Sequence, residues 1–395
     1  MNKEIAQAKR METVALSGIR KIVARANELD SQGRDVIHFD LGEPDFDTPS
    51  HIKEATKAAL DRGEVHYPPI AGIAGLKEAI AGKLKRENQL DYLPEEVIVT
   101  TGVAQGMLAS ILCFLNEGEE ILIPDPGYLS YIYIPRIAQG IIKTYGLYEA
   151  NHFQIDAAEL KEKITEKTKI IVLISPNNPI GSILNRDSLQ AVADLAQQHN
   201  LLVISDEIYE RLTYGDEPKS IASLPGMKER TIILNGFSKY FAMTGWRLGY
   251  IAAHKQLIDP MFRFCFYNTT SANAFTQWGA IAGLTESNQP SEAMKAEYQK
   301  RRDYLVSQIN QIDKLSCLEP KGAFYLFVNI KKTGMDSERF AHYLLEEVGV
   351  ATVPGTNFGE NGEGFIRMSY ATSYENIVKA IPRIKKAVAQ LSNNS

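Results

Sequence analysis

Cysteine is scarce in this sequence, which has three cysteines among 395 residues: Cys113, Cys265 and Cys317. None of them belongs to a CxxC pair or to a Cys/His pattern, so the sequence indicates neither a disulfide framework nor a zinc site. We therefore interpret all three as packing thiols of a protein from a reducing compartment. We predict no metal site.

Long apolar runs and clusters of positive charge are also missing. No apolar stretch reaches the roughly 20 residues that cross a bilayer, and the first 21 residues lack the apolar core of a signal peptide. We therefore expect a cytoplasmic protein without a membrane partner. The net charge of −5, with no Lys/Arg stripe, argues against nucleic acid as a partner. A small-molecule ligand is the remaining expectation.

Two common nucleotide-binding signatures are absent as well. No GxGxxG fingerprint or GK[ST] loop follows a predicted strand, which disfavours a nicotinamide oxidoreductase and a P-loop enzyme. The segment TGVAQG (101–106) instead opens a predicted helix. Its first-turn N–H groups have no partner within the helix, and Gly102 lets an anion approach the backbone. The segment therefore suits a phosphate, although an ordinary helix start is the alternative.

Short β-branched runs alternate with helical stretches from residue 97 onward, and near residue 285 the pattern changes to a long charged helix followed by mixed elements. Runs that are apolar on both faces and separated by helices are typical of a mostly parallel sheet covered by helices. We predict an α/β fold with a large domain over 46–285, a smaller α+β domain over 286–395, and an arm over 1–45 that belongs to the small domain. The runs are VIVT (97–100), ILIP (121–124), IIKTY (141–145), KIIVLIS (169–175), LLVISD (201–206), TIILN (231–235) and YIAA (250–253).

Residues that follow the strands deserve particular interest, because parallel sheets bind ligands beyond the carboxyl ends of their strands. Asp206 ends the run LLVISD, and a buried carboxylate is costly unless a cation or a donor meets it. A protonated ring nitrogen would meet that need. Tyr209 is predicted to begin the next helix and to face the same cavity. The alternative is that Asp206 only caps that helix.

The segment NGFSKYFAMTGWRLGY (235–250) places two cations among apolar residues and glycines. Partial burial lowers the pKa of a lysine, so Lys239 is a candidate nucleophile toward carbonyl carbon, as in Schiff-base chemistry. Arg247 keeps its charge and offers a rigid fork of donors that suits a phosphate. An ion pair at a domain surface is the alternative.

Two further loops supply weaker candidates. In the turn PNNPIG (176–181), Asn178 can present an amide donor to the same cavity. Tyr128, after the run ILIP, can stack on a planar ring, although an ordinary packed aromatic is more frequent.

Seven segments together resemble the class I and II aminotransferases, which are fold-type I pyridoxal-phosphate enzymes. The resemblance extends from about Ile19 to the C-terminal helix, in the family's order and approximate spacing. It implies a ping-pong transfer of an amino group between an L-amino acid and a 2-oxo acid. The segments are LGEPDFDTP, HYPPIAGIAGLKEAI, SPNNPIG, SDEIYE, SKYFAMTGWRLGY, AFYLF and IRMSYATSYENI.

The same scaffold also supports other outcomes. One alternative is β-elimination by a C–S lyase, or cyclisation or oxidation of an amino acid. Another is a ligand-sensing module of a regulator, which we disfavour because no basic winged-helix segment is seen before the fold begins.

The resemblance implies a role for each candidate residue. Lys239 would form the Schiff base with pyridoxal 5'-phosphate and move the proton at Cα, and Asp206 would pair with the ring nitrogen. Arg367 would bind the substrate α-carboxylate, helped by a backbone donor at Gly42. The other implied contacts are Tyr209 and Asn178 with the 3′ oxygen, Asn178 also with the substrate, Tyr128 stacked on the ring, Val103, Ala104, Ser238 and Arg247 with the phosphate, and Tyr67 with the phosphate of the neighbouring subunit in a homodimer with shared sites.

Two positions depart from the family's pattern. Gly236 stands where a serine often contacts the phosphate, which puts the cofactor affinity in doubt, and Ile180 replaces the threonine of NPTG. No cation securely marks a distal carboxylate site, so we expect neutral amino donors to be accepted at least comparably to aspartate. The alternative is that Arg20, Lys21 or Arg263 of either subunit reaches the pocket. The far end of the pocket is expected to come from Ser17 to Ile19, Tyr67, and Tyr128 to Tyr131.

Overall fold

The computed structural model describes residues 5–16, 18–215 and 217–393. Ser17, one of the residues expected at the far end of the pocket, lies outside the described residues. Within these ranges, no helix combines the length and the apolar character needed to cross a membrane. Cys113, Cys265 and Cys317 are unpaired thiols.

Strands and helices alternate along most of the chain. The strands are β1 (Ile37–His38), β2 (Val97–Thr100), β3 (Glu120–Asp125), β4 (Ile141–Gly146), β5 (Thr168–Ile174), β6 (Leu202–Asp206), β7 (Thr231–Gly236), β8 (Gly249–Ala253), β9 (Ser316–Cys317), β10 (Tyr325–Asn329), β11 (Val350–Ala351), β12 (Val353–Pro354) and β13 (Phe365–Ser369). The helices are α1 (Gly18–Ser31), α2 (Ser50–Asp61), α3 (Ala74–Asn88), α4 (Gly102–Phe114), α5 (Ser130–Ile137), α6 (Ala157–Lys163), α7 (Arg186–Gln198), α8 (Lys255–Asn268), α9 (Ala274–Thr285), α10 (Gln289–Ile309), α11 (Ser337–Val348) and α12 (Tyr374–Asn393).

The predicted sheet is confirmed and contains all seven apolar runs. Its strand order is β2-β8-β7-β6-β5-β3-β4, and every neighbouring pair is parallel except those made by β8. Along β5, Ile170 and Val172 pack into one hydrophobic cluster while Ile171 and Leu173 pack into another. Because successive side chains point to opposite faces, both faces of this sheet are covered, as the uninterrupted apolar runs predicted.

A smaller antiparallel sheet lies in the C-terminal part of the chain, in the order β12-β13-β10-β9. Its strand β13 carries Arg367, which stands opposite Phe327 of β10 and Val353 of β12. Strand β1 of the N-terminal arm pairs in parallel with β11, so the arm joins the C-terminal elements. The domain limits at residues 45/46 and 285/286 stay a prediction.

One local prediction is wrong: no helix begins at Tyr209. Residues 207–212 form consecutive turns, with backbone hydrogen bonds from Glu210 N to Glu207 O and from Leu212 N to Tyr209 O. The Glu207 side chain is engaged outside this segment, because its carboxylate accepts hydrogen bonds from the hydroxyls of Ser205 and Ser220. These contacts keep the chain from continuing into a helical turn.

Candidate active site

A cavity of about 660 Å³ opens beyond the carboxyl ends of strands β3, β5, β6 and β7, where the topology rule expects a ligand. The structure brings all the predicted site residues except Tyr67 to this cavity. They are Gly42, Val103, Ala104, Tyr128, Asn178, Asp206, Tyr209, Ser238, Lys239, Arg247 and Arg367.

Lys239 lies in the turn that follows β7. Its Nζ donates a hydrogen bond to the carbonyl oxygen of Gly42 at 2.6 Å. Burial, assisted by the positive charges of Arg367 and Arg247, lowers the pKa of Lys239 to about 8, although the carboxylates of Glu43 and Asp206 oppose the shift. A lysine with this pKa supplies neutral amine near neutral pH, which a nucleophile toward carbonyl carbon requires.

Asp206 ends β6 and is 2% exposed. The hydroxyl of Tyr131 donates to its Oδ2 at 3.0 Å, and the amide of Ile208 donates to its Oδ1 at 3.3 Å. Burial raises the pKa of Asp206 to about 6, although these two donors oppose the shift. The carboxylate is therefore short of positive charge, and a cationic N–H group placed beside it would stabilise its ionised form.

The start of helix α4 and Arg247 form an anion-binding corner of the cavity. No side chain caps α4, so its first-turn N–H groups are available. Gly102 has a φ of +72°, and a Cβ there would lie 2.7 Å from Nη2 of Arg247, so only glycine lets the guanidinium come this close. Arg247 is fixed in turn by a hydrogen bond from Nη1 to the Thr244 carbonyl at 3.0 Å.

Gly236, the departure from the family's pattern, has a packing reason in this chain. It pairs with Gly249 across β7 and β8. A Cβ at position 236 would lie 2.9 Å from Cα of Gly249 and 3.0 Å from the carbonyl oxygen of Leu248. A serine would have to displace backbone atoms, so this chain must hold an anion without a hydroxyl at that position.

Arg367 is 3% exposed. Its Nη2 donates to the carbonyl of Asp40 at 2.8 Å, and its Nη1 donates to Oδ1 of Asn178 at 3.3 Å. Within the described part of the chain both acceptors are neutral oxygens, and Nε has no hydrogen-bond partner. A buried guanidinium without a carboxylate partner is a site for an anionic ligand.

Two further tyrosines, Tyr325 and Tyr131, contact these residues, and only Tyr131 was expected near the pocket. Tyr325 shares a hydrogen bond of 2.9 Å with the hydroxyl of Tyr209, and its ring lies 4.6 Å from the Arg367 guanidinium. The motif AFYLF contained it, but only the pairing of β10 with β13 shows that it faces the site. Tyr131 was expected to line the far end of the pocket. That expectation is wrong, because Tyr131 is buried behind Asp206.

The mouth of the cavity is formed partly by the N-terminal arm. Ala15, Leu16, Ile19 and Arg20 line it, and Arg20 presents an exposed cation there. Of the other residues expected at the far end, Tyr128 and Leu129 line the cavity, whereas Gly18 and Ser130 do not. Tyr67 is 88% exposed on the loop between α2 and α3 and does not line the cavity of its own chain.

Comparisons with known proteins agree with this architecture. The family model "Aminotransferase class I and II" matches residues 34–384. An aspartate aminotransferase of Pyrococcus abyssi is 45% identical over 390 residues, covering 98% of this chain and 99% of that protein. Aromatic-amino-acid aminotransferase 2 of Thermococcus litoralis is 42% identical, covering 98% and 99%. The structure of Thermus thermophilus aspartate aminotransferase with maleate has a TM-score of 0.92 at 38% identity, covering 97% and 100%.

Proposed function

Because the chain belongs to the class I and II aminotransferase family, we propose that its cavity binds pyridoxal 5'-phosphate and one amino acid or 2-oxo acid at a time. The chain is an enzyme that transfers amino groups. One observation carries the proposal for the site: a lysine of lowered pKa, Lys239, and a guanidinium without a carboxylate partner, Arg367, line the same cavity.

The chemistry of the donor set fits the cofactor at three points. Lys239 offers an amine for the aldehyde carbon, Asp206 offers a carboxylate for a protonated ring nitrogen, and the start of α4 with Arg247 offers donors for the phosphate. Tyr128 supplies an aromatic face, Tyr209 and Asn178 supply polar groups for the 3′ oxygen, and Ser238 supplies a hydroxyl for the phosphate. When bound, the cofactor supplies an electron sink that stabilises negative charge at the substrate Cα.

Side chains of the protein orient the substrate and transfer the proton. Arg367 pairs with the substrate α-carboxylate through its planar fork and thereby orients Cα, and Gly42 lines the same cavity. Lys239 is the proton carrier at Cα, since a lysine with a pKa of about 8 both accepts and donates a proton near neutral pH. Asp206 holds a proton on the ring nitrogen by its negative charge.

The acceptor requirement distinguishes this function from its rivals on the same scaffold. We expect aspartate, alanine, methionine and tyrosine each to yield the matching 2-oxo acid over many turnovers when 2-oxoglutarate or pyruvate is present, and at most one equivalent of it per loaded site without an acceptor. Release of ammonia and pyruvate from a β-substituted amino acid in the absence of an acceptor would instead identify a lyase. Relatives named for aspartate and for aromatic amino acids support a broad choice of donors.

We also propose a cytoplasmic homodimer in which Tyr67 completes the site of the neighbouring subunit. The exposure of the Tyr67 side chain, 88%, supports a role outside its own chain. Mixing inactive Tyr67→Ala and Lys239→Ala homodimers under subunit exchange should restore activity, because each heterodimer then holds one intact site. Exchange verified by mass spectrometry without any recovery of activity refutes the shared site.

A further inference from the structure

Two cations of the site donate hydrogen bonds to the same short backbone segment, residues 40–42. Nη2 of Arg367 donates to the carbonyl of Asp40 at 2.8 Å, and Nζ of Lys239 donates to the carbonyl of Gly42 at 2.6 Å. The position of this segment therefore affects both groups. The question is what holds it in place.

Backbone hydrogen bonds anchor the chain before this segment, and the last anchored residue is Phe39. The amide of Phe39 donates to the carbonyl of Ala351 at 2.9 Å, and the carbonyl of Phe39 accepts from the amide of Ser369 at 2.8 Å. In the described structure, strand pairing of β1 ends at His38, and residues 39 and 40 lie outside any strand. Asp40 makes no backbone–backbone hydrogen bond in the described structure, so its side chain contributes to its position.

The Asp40 side chain is buried and ionisable, with an exposure of 1%. Its Oδ1 lies 2.9 Å from Nδ1 of His38, and its Oδ2 has no hydrogen-bond partner among the described residues. The other ring nitrogen of His38, Nε2, lies 2.8 Å from Oδ2 of Asp30 on helix α1. A buried carboxylate held by one partner depends strongly on that partner, because its removal leaves the charge uncompensated.

His38 therefore has a carboxylate at each ring nitrogen. A neutral imidazole has one donor and one acceptor and cannot donate to both, whereas the imidazolium donates to both. Hydrogen bonds that His38 donates to Asp40 and to Asp30 raise the pKa of His38 to about 9, despite partial burial. His38 is thus a cation at neutral pH, between one half-exposed carboxylate and one buried carboxylate.

We propose that Asp30, His38 and Asp40 form a positioning relay that fixes the Asp40 carbonyl against Arg367, and thereby sets the orientation in which Arg367 receives the substrate α-carboxylate. The inference rests on the proposed function of Arg367. None of the three residues is catalytic. The rings of Tyr325 and Phe358 contact the guanidinium at 4.6 and 5.0 Å, but such contacts tolerate rotation of the fork within its plane. The hydrogen bond to Asp40 does not, and it is the shorter of the two that Arg367 donates within the described chain.

The test compares His38→Gln and Asp40→Asn with His342→Gln as a matched control. His342 is also a histidine near a carboxylate, that of Glu346 at 3.9 Å, but it is 65% exposed on helix α11 and does not line the cavity. In the holoenzyme we expect His38→Gln and Asp40→Asn to raise KM for the amino donor about tenfold, with kcat changed by less than about threefold. Arg367 contributes binding that is shared by ground state and transition state, and loss of such binding appears in KM.

Two readouts besides turnover separate positioning from general damage. Calorimetric Kd for 2-methylalanine, which has no Cα hydrogen to lose, should rise in parallel with KM, while the Kd for pyridoxal phosphate should stay within about twofold. The double variant His38→Gln/Asp40→Asn replaces the charged pair with a neutral hydrogen-bonded pair. Its KM should not exceed that of either single variant, since members of one network are not additive.

The possible results of these measurements either support the relay or refute it. An unchanged KM in folded, loaded His38→Gln overturns the relay, and so does a parallel loss of kcat, cofactor affinity and melting temperature. Arg367→Gln serves as the reference: if it leaves KM unchanged, the proposed carboxylate site is wrong, whereas if it raises KM while the relay variants do not, only the relay is wrong. If His38→Gln does not fold, Asp30→Asn decides at the exposed end of the relay, where a rise in KM of about threefold supports the proposal and no rise refutes it.

Discussion

The candidate site has two halves that are built in different ways. The cofactor half consists of residues that follow strands of one sheet, such as Tyr128 after β3, Asp206 at the end of β6 and Lys239 after β7. The substrate half combines the arm, the segment 40–42 and Arg367 of the smaller sheet. The first half is fixed by the register of neighbouring parallel strands, and the second is fixed by contacts between distant parts of the chain.

This difference predicts how each half responds to change. Within the cofactor half, Asp206 is aligned with Leu234 of β7, so the backbone positions of Asp206 and of the turn carrying Lys239 follow from sheet pairing. A substitution in the cofactor half should therefore change the rate of the chemical step without displacing the neighbouring site residues. In the substrate half, single hydrogen bonds such as that from Arg367 to Asp40 fix the orientation of the side chains, so substitutions there should alter substrate binding.

The largest effect is expected at Asp206. Asp206→Asn should lower kcat by about a thousandfold, because loss of a buried charge partner is typically worth about 3 to 5 kcal/mol. Pre-steady-state turnover of the fully loaded variant measures this effect. Near-normal turnover in a folded, loaded variant contradicts the role of Asp206.

The same variant should be more stable than the parent protein when the cofactor is absent. The pKa of Asp206 in the folded protein, about 6, lies above its ordinary value, so the folded state binds more protons than the unfolded state between these values. The unfolding free energy therefore falls as pH rises toward 6, and it stays reduced above. Asp206→Asn should recover about 3 kcal/mol at pH 7.5 and nothing at pH 4. Calorimetric melting of cofactor-free protein at both pH values checks this, and an equal gain at both excludes ionisation of Asp206 as its cause.

A smaller but more selective effect is expected in the substrate half. Arg367→Gln should raise KM for every amino donor by about a hundredfold, equivalent to about 2.7 kcal/mol, because a charge-assisted fork is replaced by a neutral amide. Affinity for pyridoxal phosphate should remain, as measured by equilibrium dialysis. If cofactor affinity falls as far as donor affinity does, the two halves are not separable.

The sequence anticipated the two halves unequally. Strand ends are visible in the sequence because a buried parallel strand leaves an uninterrupted apolar run, as TIILN does before Lys239. Asp40 and His38 carry no such signal, since their importance comes from contacts with Asp30 and with Arg367, far away along the chain. The helix expected at Tyr209 failed because hydroxyl contacts of Glu207 overrode local helical preference.

Tyr131 tests whether residues behind the cofactor half also contribute. Tyr131→Phe removes one of the two hydrogen bonds that the Asp206 carboxylate accepts in the described structure, so the pKa of Asp206 should rise further. We expect a fall in kcat of about tenfold, in line with the roughly 1.5 kcal/mol that a hydrogen bond to a charged group contributes. Tyr145→Phe is the matched control, because its buried hydroxyl donates to the Val172 carbonyl instead. Equal losses in both variants would indicate a packing effect.

The smallest effect is expected at the mouth of the cavity. Arg20 is an exposed cation there, and exposed ion pairs contribute about 0.2 to 1 kcal/mol. Arg20→Gln should lower kcat/KM for aspartate about threefold and leave that for alanine unchanged, with Lys21→Gln as a neighbouring control outside the cavity lining. This modest contribution agrees with the expectation that neutral donors are accepted at least comparably to aspartate. A preference for aspartate of a hundredfold or more would contradict it.

In the proposed site, Lys239 is the amine that joins the cofactor in this cavity. The direct measurement is to load the protein with pyridoxal phosphate, reduce it with borohydride, digest it and locate the added mass by peptide mass spectrometry. We predict that the label lies on Lys239 and that Lys239→Arg carries none. A label on another lysine in the parent protein, or an undiminished label in Lys239→Arg, would show that Lys239 does not join the cofactor.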